Sequence, residues 1–264
     1  MTRLTARHER GFALLIVLWL LVPVSTLLIL MAGAARSDSQ LTANLRVAAA
    51  LQAAADGGIE TALPALLRTN PEMAPVRMQL NGADVAVRIT SLSGMVNPNV
   101  VTPEFMRSLL IRLGAPATQA EIVAIAILDW RLPGQQSRPG GAKLGEYRSA
   151  GLDYGPPGAP FESVDEVREV LDMTPPLFAA LRPLLTLYTD GPPNAALASP
   201  VVLAALRDVG PAQPAAERAT VFAITAEARG AGSARVVRRM TVKIGSSPNG
   251  RPWRVLAWET PSGD

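Results

Sequence analysis

From Phe12 to Ala35 the chain carries no charged side chain, and a short leader with Arg3, Arg7 and Arg10 against Glu9 precedes that stretch. About 24 apolar residues make roughly 36 Å of helix, enough to cross the hydrocarbon core of a bilayer. Basic residues stay on the cytoplasmic side, which predicts a cytoplasmic N-terminus and an exported body. Three readings of this segment compete. Ala32-Gly33-Ala34 fits a small-x-small signal-peptidase site, although the apolar run is longer than an ordinary signal core. A plain signal anchor is the second. The third is cleavage on the cytoplasmic side after Gly11, which makes Phe12 the new N-terminus and keeps the helix. The third explains why a glycine separates the charges from a phenylalanine. Pro23 falls inside the span, where neighbouring helices can re-satisfy the backbone.

Composition then removes whole classes of chemistry. The chain has no cysteine, so disulfides, thiolate catalysis and Cys-based metal sites are excluded. Its one histidine, His8, lies in the leader, so the body can form neither a Ser-His-Asp triad nor a His-ligated metal. No nucleophile elbow or phosphate loop is present either, and the expectation is a protein that is not an enzyme. The net charge of +3 comes almost wholly from arginine, Lys143 and Lys243 being the only lysines. An arginine-biased solvated surface explains that charge more simply than nucleic-acid binding.

Along the body, helical and strand signals alternate in blocks. Leu41, Leu45, Ala48, Ala55, Ile59, Leu63 and Leu66 form a stripe at helical spacing, weakened by Gly57-Gly58 and Pro64, and predict a helix continuing out of the membrane as the spine of the body. Val76 to Leu80 and Val85 to Thr90 flank Asn81-Gly82 and predict a hairpin. Helices are expected over Thr102 to Leu113, Thr118 to Trp130, Ser163 to Leu171 and Pro175 to Leu187, with a Gly/Pro/Gln-rich loop from Leu132 to Pro160. A faint repeat aligns residues 97–109 with 194–206: an Asn-led turn, a Ser/Thr-Pro start and a leucine-ended helix. After a linker at Gly210 to Ala216, strands are expected over Thr220 to Arg229, Ala234 to Ile244 and Arg254 to Trp258. Trp130, Trp253 and Trp258 read as packing residues, and Trp19 as part of the membrane helix. The order implies an α+β fold, with one sheet on the long N-terminal helix and an all-α block inserted between its strands.

Several motifs, in this order and spacing, resemble the K-type minor pseudopilin family of the type II secretion system, nearly end to end. They are Gly11-Phe12-Ala13-Leu14-Leu15, Gly94 to Asn99, Ala126 to Arg131, Pro160 to Val167, Met173-Thr174-Pro175 and Trp253 to Glu259. The resemblance implies a pilin-like long N-terminal helix on a small antiparallel sheet, with an inserted SAM-like helical domain. The implied division is a leader at 1–11, a transmembrane helix at 12–35, spine and first strands at 36–96, the insert at 97–209 and closing strands at 210–264. Gly11 precedes the prepilin-peptidase cut and Phe12 becomes the N-methylated first residue. Ile16 is the fifth mature position, where most pilin-like proteins have glutamate. A carboxylate in an apolar fibre core is costly unless paired with a neighbour's terminal amine. A subunit with no neighbour beyond it has no such pair to make, so an apolar Ile16 suits a tip position.

The implied function is a minor pseudopilin at the pseudopilus tip that initiates assembly and supports export across the outer membrane. The implied partners are the I-, J- and H-type minor pseudopilins, the major pseudopilin, prepilin peptidase and the inner-membrane assembly platform. The implied location is the inner membrane, single-pass, with the body in the periplasm and no nucleic acid bound. The alternative is a membrane-tethered nucleic-acid binder of a DNA-uptake pilus. That would need a glycine-rich hairpin beside clustered basic residues, and the helix junction offers only Gly114-Ala115-Pro116. The family's helical domain can carry calcium in acidic loops. Here the corresponding positions read Leu132-Pro133-Gly134-Gln135-Gln136 and Lys143-Leu144-Gly145. Asp129, Glu146, Asp153, Glu162 and Asp165 remain as candidate oxygen ligands, few for an ion that takes six to eight oxygens. No cofactor is therefore expected, with calcium as the alternative, and Glu162 and Asp165 read as carboxylates favouring a helix N-terminus.

Overall fold

The computed structural model describes residues 9–68, 75–134, 139–210, 220–245 and 250–261. The leader through His8, the linker from 211 to Ala216, and Gln135 and Gln136 lie outside the described residues. One helix, α1 (Glu9–Arg68), runs 60 residues, about 90 Å, and contains both Pro23 and Pro64. Its C-terminal part packs on a five-stranded antiparallel sheet in the order β1 (Val76–Leu80), β2 (Ala83–Ser91), β3 (Val221–Arg229), β4 (Arg235–Ile244) and β5 (Trp253–Glu259). Asn81 and Gly82 both take positive φ, 52° and 76°, the geometry that lets a two-residue turn follow the twist of paired strands.

Strand alternation sends one side of the sheet toward α1. Val85, Val87, Phe222, Ile224, Ala226, Met240 and Val242 share a core with Leu51, Ala55, Ile59 and Leu66. The packed stripe begins only at Leu51. Leu41 and Leu45 are exposed, so the first part of the expected stripe does not seat on the body. Gly58 permits the close approach: a Cβ there would sit 2.8 Å from Val85 Cγ1 and 3.2 Å from Val87 Cγ2. The glycine that costs helix propensity is therefore the one that admits the sheet. Arg238 Nε donates to Asp56 Oδ1 at 2.8 Å and Trp258 Nε1 to the same oxygen at 3.2 Å, tying β4 and the edge strand β5 to α1.

The chain leaves the sheet after β2 and returns at β3, and the excursion is helical: α2 (Pro103–Arg112), α3 (Ala117–Arg131), α4 (Leu144–Ser149), α5 (Pro175–Leu181) and α6 (Pro200–Val209). It has its own core, from Val96 to Ala205. Ser93 Oγ accepts from Thr220 N at 3.0 Å and Val221 N at 3.2 Å, which joins the exit to the return. A Cβ on Gly94 would collide with the backbone of Leu197 and Ala198, so the two ends meet across a glycine.

Three expectations change. The loop from Leu132 to Pro160 contains α4, only six residues long and too short to show a helical period. Residues Val164–Glu169 form a 3-10 helix in place of the expected α-helix, closed by Glu166 N to Ser163 O at 3.3 Å, and Val170 is already extended. The helix from Pro175 stops at Leu181 and tightens to a 3-10 turn at Arg182–Leu184, where Pro183 has no N–H to continue it; Leu185 then pairs with Val96.

The faint repeat has a structural counterpart. Asn97 Oδ1 accepts from Asn99 N and Asn194 Oδ1 from Ala196 N, both at 2.9 Å, and the two turns lead to α2 and α6, which pack together. Asp208 of α6 fastens the pair, accepting from Arg112 Nε at 2.7 Å, Arg112 Nη2 at 2.6 Å and Ser108 Oγ at 2.5 Å.

Two outcomes follow from these contacts. Gly58→Leu should destabilise by about 2–3 kcal/mol through overpacking. Gly57→Ala, with nothing nearer its added Cβ than Leu80 Cδ1 at 3.7 Å, should stabilise by up to about 1 kcal/mol; urea midpoints distinguish the two. The hydrogen bonds from Arg112 and Ser108 hold the Asp208 carboxyl down at about 2. A folded-state value below the unfolded one near 3.9 means stability that is present above about pH 4 and lost as pH falls toward 2. Asp208→Asn should flatten part of that acid limb in urea midpoints measured from pH 5 to pH 2.5.

Candidate functional site

The motifs scattered along the sequence converge on one buried cluster in the helical insert. Asn97, almost fully buried, donates from Nδ2 to Thr189 O at 2.6 Å and Leu187 O at 3.3 Å, holding the start of the insert to its end. Asn99 clasps the backbone of Phe161 with both ends of its amide: Phe161 N donates to Oδ1 at 2.8 Å and Nδ2 donates to Phe161 O at 3.0 Å. The Phe161 ring stacks on Trp130, centroids 5.6 Å apart and planes 1° from parallel. Arg131, next in α3, donates to Pro98 O at 3.0 Å and Val101 O at 2.9 Å, and burial lowers its pKa. Tyr147 of α4 lies 6.3 Å from Trp130, and its oxygen accepts from Leu171 N at 2.9 Å. Burial pushes that phenol well above its ordinary value, so it stays a neutral packing group.

Most of these side chains are engaged by backbone partners and ring contacts, while Trp130 Nε1 is buried without a hydrogen-bond partner. Their role is to fold the insert. The acidic candidates are dispersed. Asp129 is fully buried and accepts from Ala142 N at 3.1 Å. Glu146 accepts from Lys143 N at 2.9 Å, opening α4. Asp165 accepts from Arg182 Nε at 2.8 Å, which lowers its pKa, while Asp153 and Glu162 are exposed. The acidic residue that caps the turn after Ser163 is Glu166, whose Oε1 accepts from Ser163 N at 2.7 Å; Asp165 is spent on Arg182 and Glu162 contributes only its N–H. The pattern Ser163-x-x-Glu166 is a capping box and was readable as one. Among the described residues, no group of three or more acidic side chains could hold a metal ion.

The other functional surface is α1 before it reaches the body. Leu15 to Leu28 are exposed throughout, Trp19 to 77% and Ile16 to 46%. Leu15, Ile16, Trp19, Leu20 and Pro23 line a shallow apolar groove on this segment. Pro23 removes one backbone donor, and Thr26 Oγ1 turns back to Val22 O at 2.8 Å. Gly11 and Phe12 lie in the first turns of the helix; their side-chain surroundings are outside the described residues. Among the described residues no helix is long and apolar enough to cross a membrane. The side chains of 29–39, through which the uncharged stretch runs, are not among them. Contiguous apolar surface on this scale marks an interaction surface.

Residues 87–190 match the family model of protein K of the type II secretion system. Over that segment the chain is similar to the protein K family. The matched segment holds β2 from Val87 on, Asn97, Asn99, Asp129, Trp130, Arg131, Phe161 and Glu166, so it contains the buried cluster just described. The fold is also similar to a chain in the crystal structure of the GspK-GspI-GspJ complex from the type 2 secretion system of enterotoxigenic Escherichia coli. The TM-score is 0.64 at 17% identity, over 87% of this chain and 99% of that one. At that identity the likeness is one of fold. Comparison with curated proteins gives no match.

If Asn99 is the clasp on Phe161, Asn99→Ala should cost about 2–3 kcal/mol by leaving a peptide's N–H and C=O without partners. It should also loosen the Trp130 stack. Chemical denaturation and the near-ultraviolet circular dichroism of the folded protein check both.

Proposed function

We propose that this chain is a minor pseudopilin of the type II secretion system, a non-enzymatic subunit at the pseudopilus tip that initiates assembly and supports protein export across the outer membrane. The observation that carries the reading is the division of α1. One half is bare and apolar over Leu15 to Leu28, and the other half, from Leu51, is the spine of a sheet that bears the helical insert. A surface of this kind is stable only when lipid or other helices cover it. In our reading residues 12–35 span the inner membrane before assembly and pack against other pilin helices after it, with the N-terminus cytoplasmic and the body periplasmic. The family match over 87–190 supports the system.

Ile16 supports the tip position. It is exposed and apolar where a glutamate would need a partner amine from a subunit beyond. The helical insert, which we read as the family's SAM-like domain, adds bulk that would obstruct further addition. The presence of GspI and GspJ in the complex that contains the similar fold supports I- and J-type minor pseudopilins as partners. The H-type and major pseudopilins, prepilin peptidase and the inner-membrane platform complete the proposed set.

The N-terminal sequence of the protein from native membranes, with and without prepilin peptidase, tests this reading. The expected start is N-methylated Phe12 when the peptidase is present and Met1 when it is absent. A start at Ala35, or at Met1 in both, would overturn the assembly mechanism.

A further inference from the structure

Lysine is among the residues least often buried, yet Lys143 is only 4% exposed. Its ammonium donates to Asp129 O at 2.5 Å and to Leu132 O at 2.6 Å. Those carbonyls belong to the last turn of α3 and the residue after it, where a helix gathers unsatisfied acceptors and partial negative charge. The Asp129 carboxylate, fully buried, lies beside them and takes Ala142 N; a Cβ on Gly141 would run into it, so the loop passes its bare backbone against the carboxylate. Glu146 Oε2 holds the backbone N of Lys143 itself and keeps the stem in place. A positive charge set among carbonyl oxygens beside a buried carboxylate is the environment a hard cation requires.

The calcium that the family resemblance implies does not fit here. The charge is already supplied, Glu146 is committed to α4, Asp165 to Arg182, and Asp153 and Glu162 face solvent. We propose that the ammonium of Lys143 is a tethered cation that takes the place of a divalent ion, fastening Ala142 and Lys143 to the end of α3 and making the fold of the helical insert independent of metal. The inference stands apart from the pseudopilus reading, since it concerns how the insert is held together whatever the insert docks with.

The full chain in detergent decides it, with thermal unfolding followed by circular dichroism and amide exchange followed over residues 132–145. For the wild type, EDTA and millimolar Ca2+ should each leave the midpoint within about 1 °C and the protection of the Ala142 amide unchanged. Lys143→Met should lower the midpoint by about 5–10 °C in either medium, because one buried and one part-buried carbonyl lose a charged donor. Lys143→Glu puts a second carboxylate into the same oxygen set. It should unfold early in EDTA and recover several degrees on addition of Ca2+ alone. A wild type that loses several degrees in EDTA and regains them with Ca2+ overturns the proposal, and this arm needs no variant to fold. So does a Lys143→Met protein that melts with the wild type, or a folded Lys143→Glu protein indifferent to Ca2+.

Discussion

Everything in the body is referred to the seating of α1 on the sheet, and that seating depends on the absence of one side chain. At Gly58 the helix backbone comes within van der Waals reach of Val85 and Val87, neighbours on one face of β2. This close approach puts Leu51, Ile59 and Leu66 into the same apolar core as Ile224 and Met240, each worth on the order of 1.5–3 kcal/mol when fully buried. Asp56, two residues before, takes hydrogen bonds from Arg238 and Trp258 and extends the attachment to the far edge of the sheet. A single rod is thereby fixed to a body at one end and left bare at the other.

The helical insert is attached with equal economy. Two chain ends cross at Gly94 and Ser93, and the Lys243–Asp190 ion pair, with Asn97, binds the returning segment beside the sheet. On the sheet face away from α1, Val221, Ala223 and Thr241 are buried at this root, which is why β3 reads as covered on both sides. Inside the insert, polar groups do the specifying. Asn99, Arg131, Glu166 and Lys143 each satisfy backbone groups that loops would otherwise leave unpaired, in a domain whose connections are long and whose helices are short.

How legible was this in the sequence? The hairpin at Asn81-Gly82, the closing strands, and α2, α3 and α6 rest on local signals: a left-handed dipeptide, period-two alternation, Ser/Thr-Pro starts for α2 and α6, and helical apolar spacing for α3. The capping box at Ser163-x-x-Glu166 is equally local, and Asp165 lies beside Glu166 in the first turn as expected, while Glu162 precedes it. Tertiary competition hid the rest. Val170 leaves helical geometry, which cuts an expected α-helix down to a 3-10 turn, and Leu185 becomes extended because Val96 pairs with it from across the insert. The loop to Pro160 looked structureless since six helical residues between Lys143 and Ala150 are too few to make a period. Leu41 and Leu45 matched the stripe in spacing but have no sheet opposite them.

The sequence alone determined which chemistry is absent and which parts of the chain are apolar. A body without cysteine or histidine cannot run thiol or imidazole chemistry, and an uncharged stretch from Phe12 to Ala35 must find an apolar surrounding, since both follow from side-chain identity. Order and spacing also carried the resemblance to protein K, which the match over residues 87–190 bears out for that segment. Only the tertiary structure decided what those residues do. Asn99 meets Phe161 across 62 positions, and the Lys143 ammonium enters the end of α3 only after the loop has folded back, so no local pattern announces either contact. Partners brought together by long-range packing are chosen by the whole fold, and a residue's neighbours in sequence say nothing of them.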